Sequence, residues 1–212
     1  MSQQVAACPN CGAHIEFQWS SAVQTVCSYC KSILVRHDVD LKRVGVVADL
    51  PRTSSPIQIA TEGVHANRPF VVLGRIVYEY ELGGWNEWHL VFNDGVSGWL
   101  SDAQAEYAVS FLTPLPGALP AAAEIRPGQS FQWNRVGYKV TSLTHARYRG
   151  VEGELPFEYW DKAELLMADL RSSDSRFATI DYSEEPALLF LGAAVEFEDL
   201  QLKNLRRIEG WS

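Results

Sequence analysis

The sequence predicts a mainly β protein: an N-terminal zinc ribbon, then two weakly similar small β-barrel-like or half-barrel blocks, with one short helix. Three observations predict it. All four cysteines fall within residues 8–30, in two C-x-x-C pairs. After them, runs rich in β-branched and aromatic residues alternate apolar with polar, the period of a strand. Segments carrying Pro and Ser or Gly at 46–56 and 113–123 divide the remainder into blocks at 57–112 and 124–205.

The ribbon, residues 6–37, comes first. Cys8 and Cys11 are separated by two residues, as are Cys27 and Cys30, and fifteen residues lie between the pairs. Two C-x-x-C turns at this spacing aim four sulfurs at one tetrahedral centre. Gly12 permits the backbone turn after the first pair. In "HIEFQW" Ile15, Phe17 and Trp19 alternate with polar residues, "SSA" turns the chain, "VQTV" returns it, and "SILVR" adds a strand. This pattern resembles a zinc ribbon. One Zn2+ per chain is expected, with iron in a rubredoxin-like site as the competing metal. Four sulfurs leave no open position, so the metal is structural. It also supplies folding free energy that so small a core lacks. His14 reads as a solvated strand residue rather than a ligand.

The first block is mostly strand. "FVVLGRIVYEYEL" carries Gly74 at a bulge or bend, and Asn93-Asp94-Gly95 marks a hairpin turn. Ser101 with Gln104 three residues on is a capping-box pattern, which predicts a short helix before a strand at 108–112. In the second block, strands are expected near 130–134, 137–148, 155–160, 176–183, 187–192 and 194–205. Residues 159–170 fit either a helix starting after Asp161 or two strands. The blocks look duplicated: an Ile and a Gly precede an aromatic-started run in each, Phe70–Tyr80 and Tyr138–Tyr148, and a Glu-containing motif follows, at Glu87 and Glu154.

Charge narrows the function classes. A net charge of −8 repels phosphate backbones, and Lys and Arg are scattered, so nucleic acid is an unfavoured partner. No apolar run is long enough to span a membrane, and the N-terminus lacks a signal-peptide pattern, so a cytoplasmic protein with reduced thiols is expected.

The candidate ligand site is Trp85, Glu87, Trp88 and Trp99, with Glu154 from the second block. A carboxylate held between indoles is desolvated and suits a cation: a polyamine, or a Lys or Arg side chain. The same residues also suit a core, with Trp88 and Trp99 read in phase with Leu90, Phe92 and Leu100. Motifs for an activated nucleophile or a phosphate loop are missing, and His65, His89 and His145 are isolated.

The run "GRIVYEYELGGWNEWHLVFNDGVSGWLSDAQAEY", with "EGELPF", "FATIDYS" and "LFLGAAVEFEDLQLKNLR", resembles an uncharacterised bacterial domain family whose members often carry an N-terminal zinc ribbon. That family usually has Gly where this chain has Ala105, after Gln104. The resemblance implies no established activity. Its gene neighbourhoods, with small membrane proteins and enzymes similar to polyamine-pathway decarboxylases, imply a stress, envelope or defence setting. The resulting expectation is a binding or scaffold module recognising a protein partner. The alternative is an enzyme or receptor for a cationic small molecule, which requires Glu87 and Glu154 to converge in one pocket.

Overall fold

The computed structural model describes residues 5–37, 40–47, 50, 55–114, 117–158 and 164–208. Around the cysteines, β1 (Val5–Ala7) and β2 (His14–Glu16) form one hairpin, and β3 (Gln24–Val26), β4 (Ser32–His37) and β5 (Asp40–Val46) form a three-stranded meander. Ile15, Phe17, Ala22 and Leu34 pack with Cys8 and Cys27 as the ribbon's own small core. β5 carries this sheet beyond residue 37, pairing from Ser32↔Val46 to His37↔Asp40. A register shift opposite Ile33/Leu34 interrupts its alternation, which is why the strand was not legible from period two. Residues 48, 49 and 51–54 of the expected linker lie outside the described residues.

The remaining strands are β6 (Glu62–His65), β7 (Arg68–Tyr80), β8 (Gly83–Phe92), β9 (Ser97–Ala103), β10 (Glu106–Thr113), β11 (Ser130–Trp133), β12 (Val136–Gly153), β13 (Glu164–Arg171), β14 (Arg176–Asp181) and β15 (Leu188–Val195). They make one antiparallel sheet in the order β11-β12-β13-β14-β15-β10-β9-β8-β7-β6. Each block is therefore a five-stranded meander, and the two meanders share a sheet. In each, a short first strand turns through two residues of positive φ, Ala66-Asn67 or Asn134-Arg135, into the longest strand.

The repetition extends to single hydrogen bonds. Ala60 N–H donates to Val72 O and Val72 N–H to Thr61 O, while Gly128 N–H donates to Val140 O and Val140 N–H to Gln129 O. These positions are 68 residues apart, as are buried Ile57 and Ile125, and Phe70 and Tyr138. The two meanders meet at Ser110↔Gly192 and again at Glu79↔Arg147, so a pseudo-twofold axis relates them. The matching of Glu87 with Glu154 fails. β12 is longer than β7, so Glu154 lies just past the second strand of its repeat and Glu87 within the third strand of its own.

Because β7 pairs with both β8 and β12, eight strands follow one another in a partial ring. It is not a closed barrel. β12 meets β13 along Lys139–Arg147 and β7 along Arg147–Gly153, so the two pairings overlap at one residue. Outside the ring lie two cores. One gathers Ile57, Phe70, Trp88, Leu90, Phe92, Leu100 and Leu200, and its counterpart gathers Ile125, Tyr138, Val140, Leu170 and Ile180. A third cluster, with Ile76, Tyr78, Trp99, Tyr148 and Met167, also receives Ile33 of the ribbon.

The predicted short helix is absent. Ser101 to Ala103 complete β9, Gln104 and Ala105 turn at φ 54 and 65, and β10 starts at Glu106. A two-residue turn with both φ positive closes a tight hairpin, and that geometry outweighs the capping-box pattern. Ala105 sits at φ 65, where a Cβ is disfavoured. Residues 188–195 form a single strand, and 198–200 are one 3-10 turn rather than strand. Residues 155–158 are not strand, apart from a bridge at Leu155. In the ambiguous 159–170 segment, 164–170 belong to β13 and 159–163 lie outside the described residues.

Candidate metal centre and ligand cleft

Two matching turns assemble the four cysteines. Gly12 N–H donates to Cys8 O and Cys8 N–H to Ala13 O, while Lys31 N–H donates to Cys27 O and Cys27 N–H to Ser32 O. Gly12 (φ 74) and Lys31 (φ 58) occupy equivalent left-handed positions. The four Sγ atoms lie within 4.8 Å of one another. Cys8 and Cys30 are 3.7 Å apart, and Cys11 and Cys27 3.8 Å. A tetrahedron with metal–sulfur bonds of about 2.3 Å places its sulfurs about 3.8 Å apart, so the donor set fits a tetrahedral metal ion. His14 contributes no group to this cluster.

The ribbon is fastened to the large sheet by Glu154, which is buried. Its carboxylate accepts the Gln18 N–H at 2.7 Å and the Trp19 N–H at 3.0 Å. Next to it, Val23 N–H and Gln24 N–H donate to Leu155 O, and Leu155 N–H donates to Gln24 O. Burial raises the Glu154 pKa, opposed by these N–H donors. Gly74 lets β7 approach this corner, since a Cβ there would collide with the Glu154 carbonyl oxygen.

Glu87 is elsewhere, so the two carboxylates do not converge. Glu87 lines a cleft of about 620 Å³ on the concave side of the ring, with Trp85, Ser101, Ser142, Asp169 and Thr179 among its walls. An adjoining extension, which shares Glu87, Ser101, Met167 and Thr179 with the cleft, adds Trp99, Ser110, Phe157 and Asp181. Strand parity explains the placement. Trp88, Leu90 and Phe92 face the outer core, and Glu87 points the other way. Trp88 is fully buried and donates its indole N–H to Asp102 at 3.3 Å. Trp99 has the parity opposite to Leu100: it stacks on Phe157 with ring centroids 5.7 Å apart and lines the cleft beside Glu87. Of the five residues singled out in the sequence, the cleft thus unites Trp85, Glu87 and Trp99, but not Trp88 or Glu154.

The Glu87 carboxylate accepts the Trp85 indole N–H at 3.0 Å and the Ser101 hydroxyl at 2.8–2.9 Å. Burial pushes its pKa up to about 8, outweighing those two donors, and Asp169 and Asp181 add repulsion. Asp169 accepts from Thr179 at 2.9 Å and from Ser142 at 3.2 Å, and burial raises its pKa as well. Asp181 is raised by burial too.

Among the described residues, none of these three carboxylates forms an ion pair. Arg171 is the basic residue along the cleft wall, and it pairs at 2.9 Å with Glu106. The outer face differs: buried Arg75 pairs with Glu152 at 3.0 Å, holds Asn86, and lies 5.0 Å from the Trp88 ring. Asp169 and Asp181 were missed in the sequence, although an acid in phase with apolar neighbours, in "LLMADL" and "FATID", was a usable signal.

No curated protein and no solved structure matches the chain. No helix among the described residues is long and apolar enough to cross a membrane. Residues 58–197 match the family described as Domain of unknown function (DUF4178), and the ribbon precedes the matched segment. The match covers well over half of the chain, which belongs to this family.

Proposed function

We propose that this DUF4178 family member is a binding module that takes a positively charged group into the cleft beside Glu87, with a zinc ion on Cys8, Cys11, Cys27 and Cys30 as a structural clip. The observation that carries the reading is a set of three desolvated carboxylates, Asp181 buried and Glu87 and Asp169 half-buried, none of which forms an ion pair among the described residues; Arg171, paired with Glu106, acts on Asp169 only as a nearby charge. Buried charges in proteins are normally paired, and a ligand ammonium or guanidinium would supply the missing counter-charge. Trp85 and Tyr80 add aromatic faces that favour a cation. The cleft volume lies in the range of small-molecule sites.

Binding rather than catalysis is favoured because the reactive side chains are already engaged. The cysteines are gathered at the ribbon, and buried His89 spends both ring nitrogens on Glu154 O and Ser97 Oγ. The charged group belongs to a free amine or to a Lys or Arg of a protein partner. A bacterial stress or envelope-related setting and a cytoplasmic location form part of the same proposal. Nucleic acid remains an unfavoured partner because of the acidic net charge.

Calorimetric titration with n-butylammonium, 1,4-diaminobutane and guanidinium tests the cleft. Saturable binding abolished by Glu87→Gln supports the reading, and no binding by any of the three refutes it for a free cation. Co-purification with mass spectrometry separates the two sources. A retained amine identifies a small ligand, and a protein partner whose binding is lost on replacing one of its Lys or Arg residues identifies a side chain.

A further inference from the structure

The metal centre and the cleft are joined by a short run of contacts through the corner where the ribbon meets the sheet. Glu154 holds the ribbon backbone at Gln18 and Trp19, between the two cysteine pairs. Leu155 bridges to Gln24 of β3, the strand that leads into Cys27. From this corner the contacts continue inward. His89 Nδ1–H donates to Glu154 O at 2.9 Å, and Ser97 Oγ–H donates to His89 Nε2 at 2.9 Å. That assignment follows from the carbonyl, which can only accept. Burial holds His89 neutral, with its pKa lowered to about 4. The His89 ring lies 5.1 Å from Trp19 of the ribbon and 5.3 Å from Trp99. Trp99 stacks on Phe157, two residues past Leu155, and both line the adjoining extension of the cleft with Glu87.

We infer that metal occupancy of the ribbon controls the cleft, through Glu154, His89 and Trp99. This rests on the cleft being a binding site. A ribbon this small depends on its metal to fold. When the ribbon loosens, Glu154 loses both N–H donors and is left as a buried, unsatisfied carboxylate. It then moves toward water, taking with it the carbonyl that fixes His89 and the segment that carries Phe157. The Trp99–Phe157 wall opens, and that end of the cleft changes shape. By reciprocity, a ligand that requires the closed wall tightens metal binding by the same factor.

Two measurements test the coupling on the full chain. The first is hydrogen exchange with metal bound, after chelation under reducing conditions, and in metal-loaded Glu154→Ala. The coupling requires faster exchange in 97–103 and 154–157 in both altered states, with the outer strands 68–72 and 138–140 still protected. A change confined to the ribbon overturns it. If chelation unfolds the whole chain, Glu154→Ala with metal bound decides alone. The second is titration with n-butylammonium. Affinity about tenfold weaker without metal, and in metal-loaded Glu154→Ala, supports the coupling. Equal affinity in all three states overturns it and leaves the cleft reading standing. No binding even with metal bound refutes the cleft reading, whereas the exchange result still judges the connection between ribbon and sheet.

Discussion

Replacing Glu87 by Gln should change stability with a sign that depends on pH. The carboxyl pKa rises from its ordinary value of 4.5 to about 8 in the folded chain, because burial disfavours the charged form. The folded state therefore holds a proton that the unfolded chain releases, and stability falls as pH rises from about 4.5 to 8. At about 1.4 kcal/mol per unit, that interval is worth at most about 5 kcal/mol. The cleft opens to solvent, so about 2–3 kcal/mol is the realistic span. Gln mimics the protonated acid: its carbonyl accepts from Trp85 and its amide donates to Ser101 Oγ.

Glu87→Gln should then be nearly neutral at pH 4.5, within about 0.5 kcal/mol, and stabilising by about 2–3 kcal/mol at pH 9. Urea unfolding at pH 4.5, 7 and 9, with and without the substitution, reads both numbers. A ligand cation reverses the sign at high pH, because the ionised carboxylate is the form that pairs with it. Uniform destabilisation at every pH would refute the reasoning, since it would make Glu87 an acceptor whose ionised form the fold requires.

Three further outcomes are expected. Trp88→Ala should cost about 3–5 kcal/mol, because a fully buried indole is deleted and Asp102 loses a donor, and Trp88→Phe should cost clearly less; equal unfolding midpoints for wild type and Trp88→Ala would contradict the packing. Ala105→Gly should raise stability by about 0.5–1 kcal/mol, since it relieves a residue at φ 65; a lowered urea midpoint would count against that account. Elemental analysis should give one zinc per chain, and Cys8→Ser should abolish it and increase proteolysis within residues 5–46 while the ten-stranded sheet persists; chains free of zinc and iron after gentle reducing purification would contradict the metal assignment.

The four-cysteine cluster was readable because cysteine spacing encodes it locally. The β class was readable because alternation in runs such as "FVVLGRIVYEYEL" reports one residue at a time. The cleft was half readable. Parity on β8 correctly separated Glu87 from Trp88, yet Asp169 and Asp181 come from β13 and β14, which reach Glu87 only by closure of the ring. Glu154 shows the opposite case. The apparent duplication matched it with Glu87 as part of a ligand site, but its partners are backbone N–H groups 135 and 136 residues away. No pattern local to "GELP" could report them. The helix expected at 101–107 failed because Ser101 and Gln104 match a helix start in composition, while the left-handed turn at Gln104-Ala105 leaves no helical backbone for them to cap.

The pseudo-twofold axis decides whether the two ends of the cleft are alike. Two copies of a half-length chain arranged about the same axis would present every cleft residue twice, and such a cavity could not distinguish head from tail. In the single chain the corresponding positions have diverged. Glu87 faces Ser101 across β8 and β9, while Met167 faces Asp181 across β13 and β14, and all four line one cavity. Where one half places a carboxylate the other places a thioether, and where one places a hydroxyl the other places a carboxylate. Joining the halves in one polypeptide gave the cavity a polarity, so that an elongated guest with a single charged terminus would enter in one direction only.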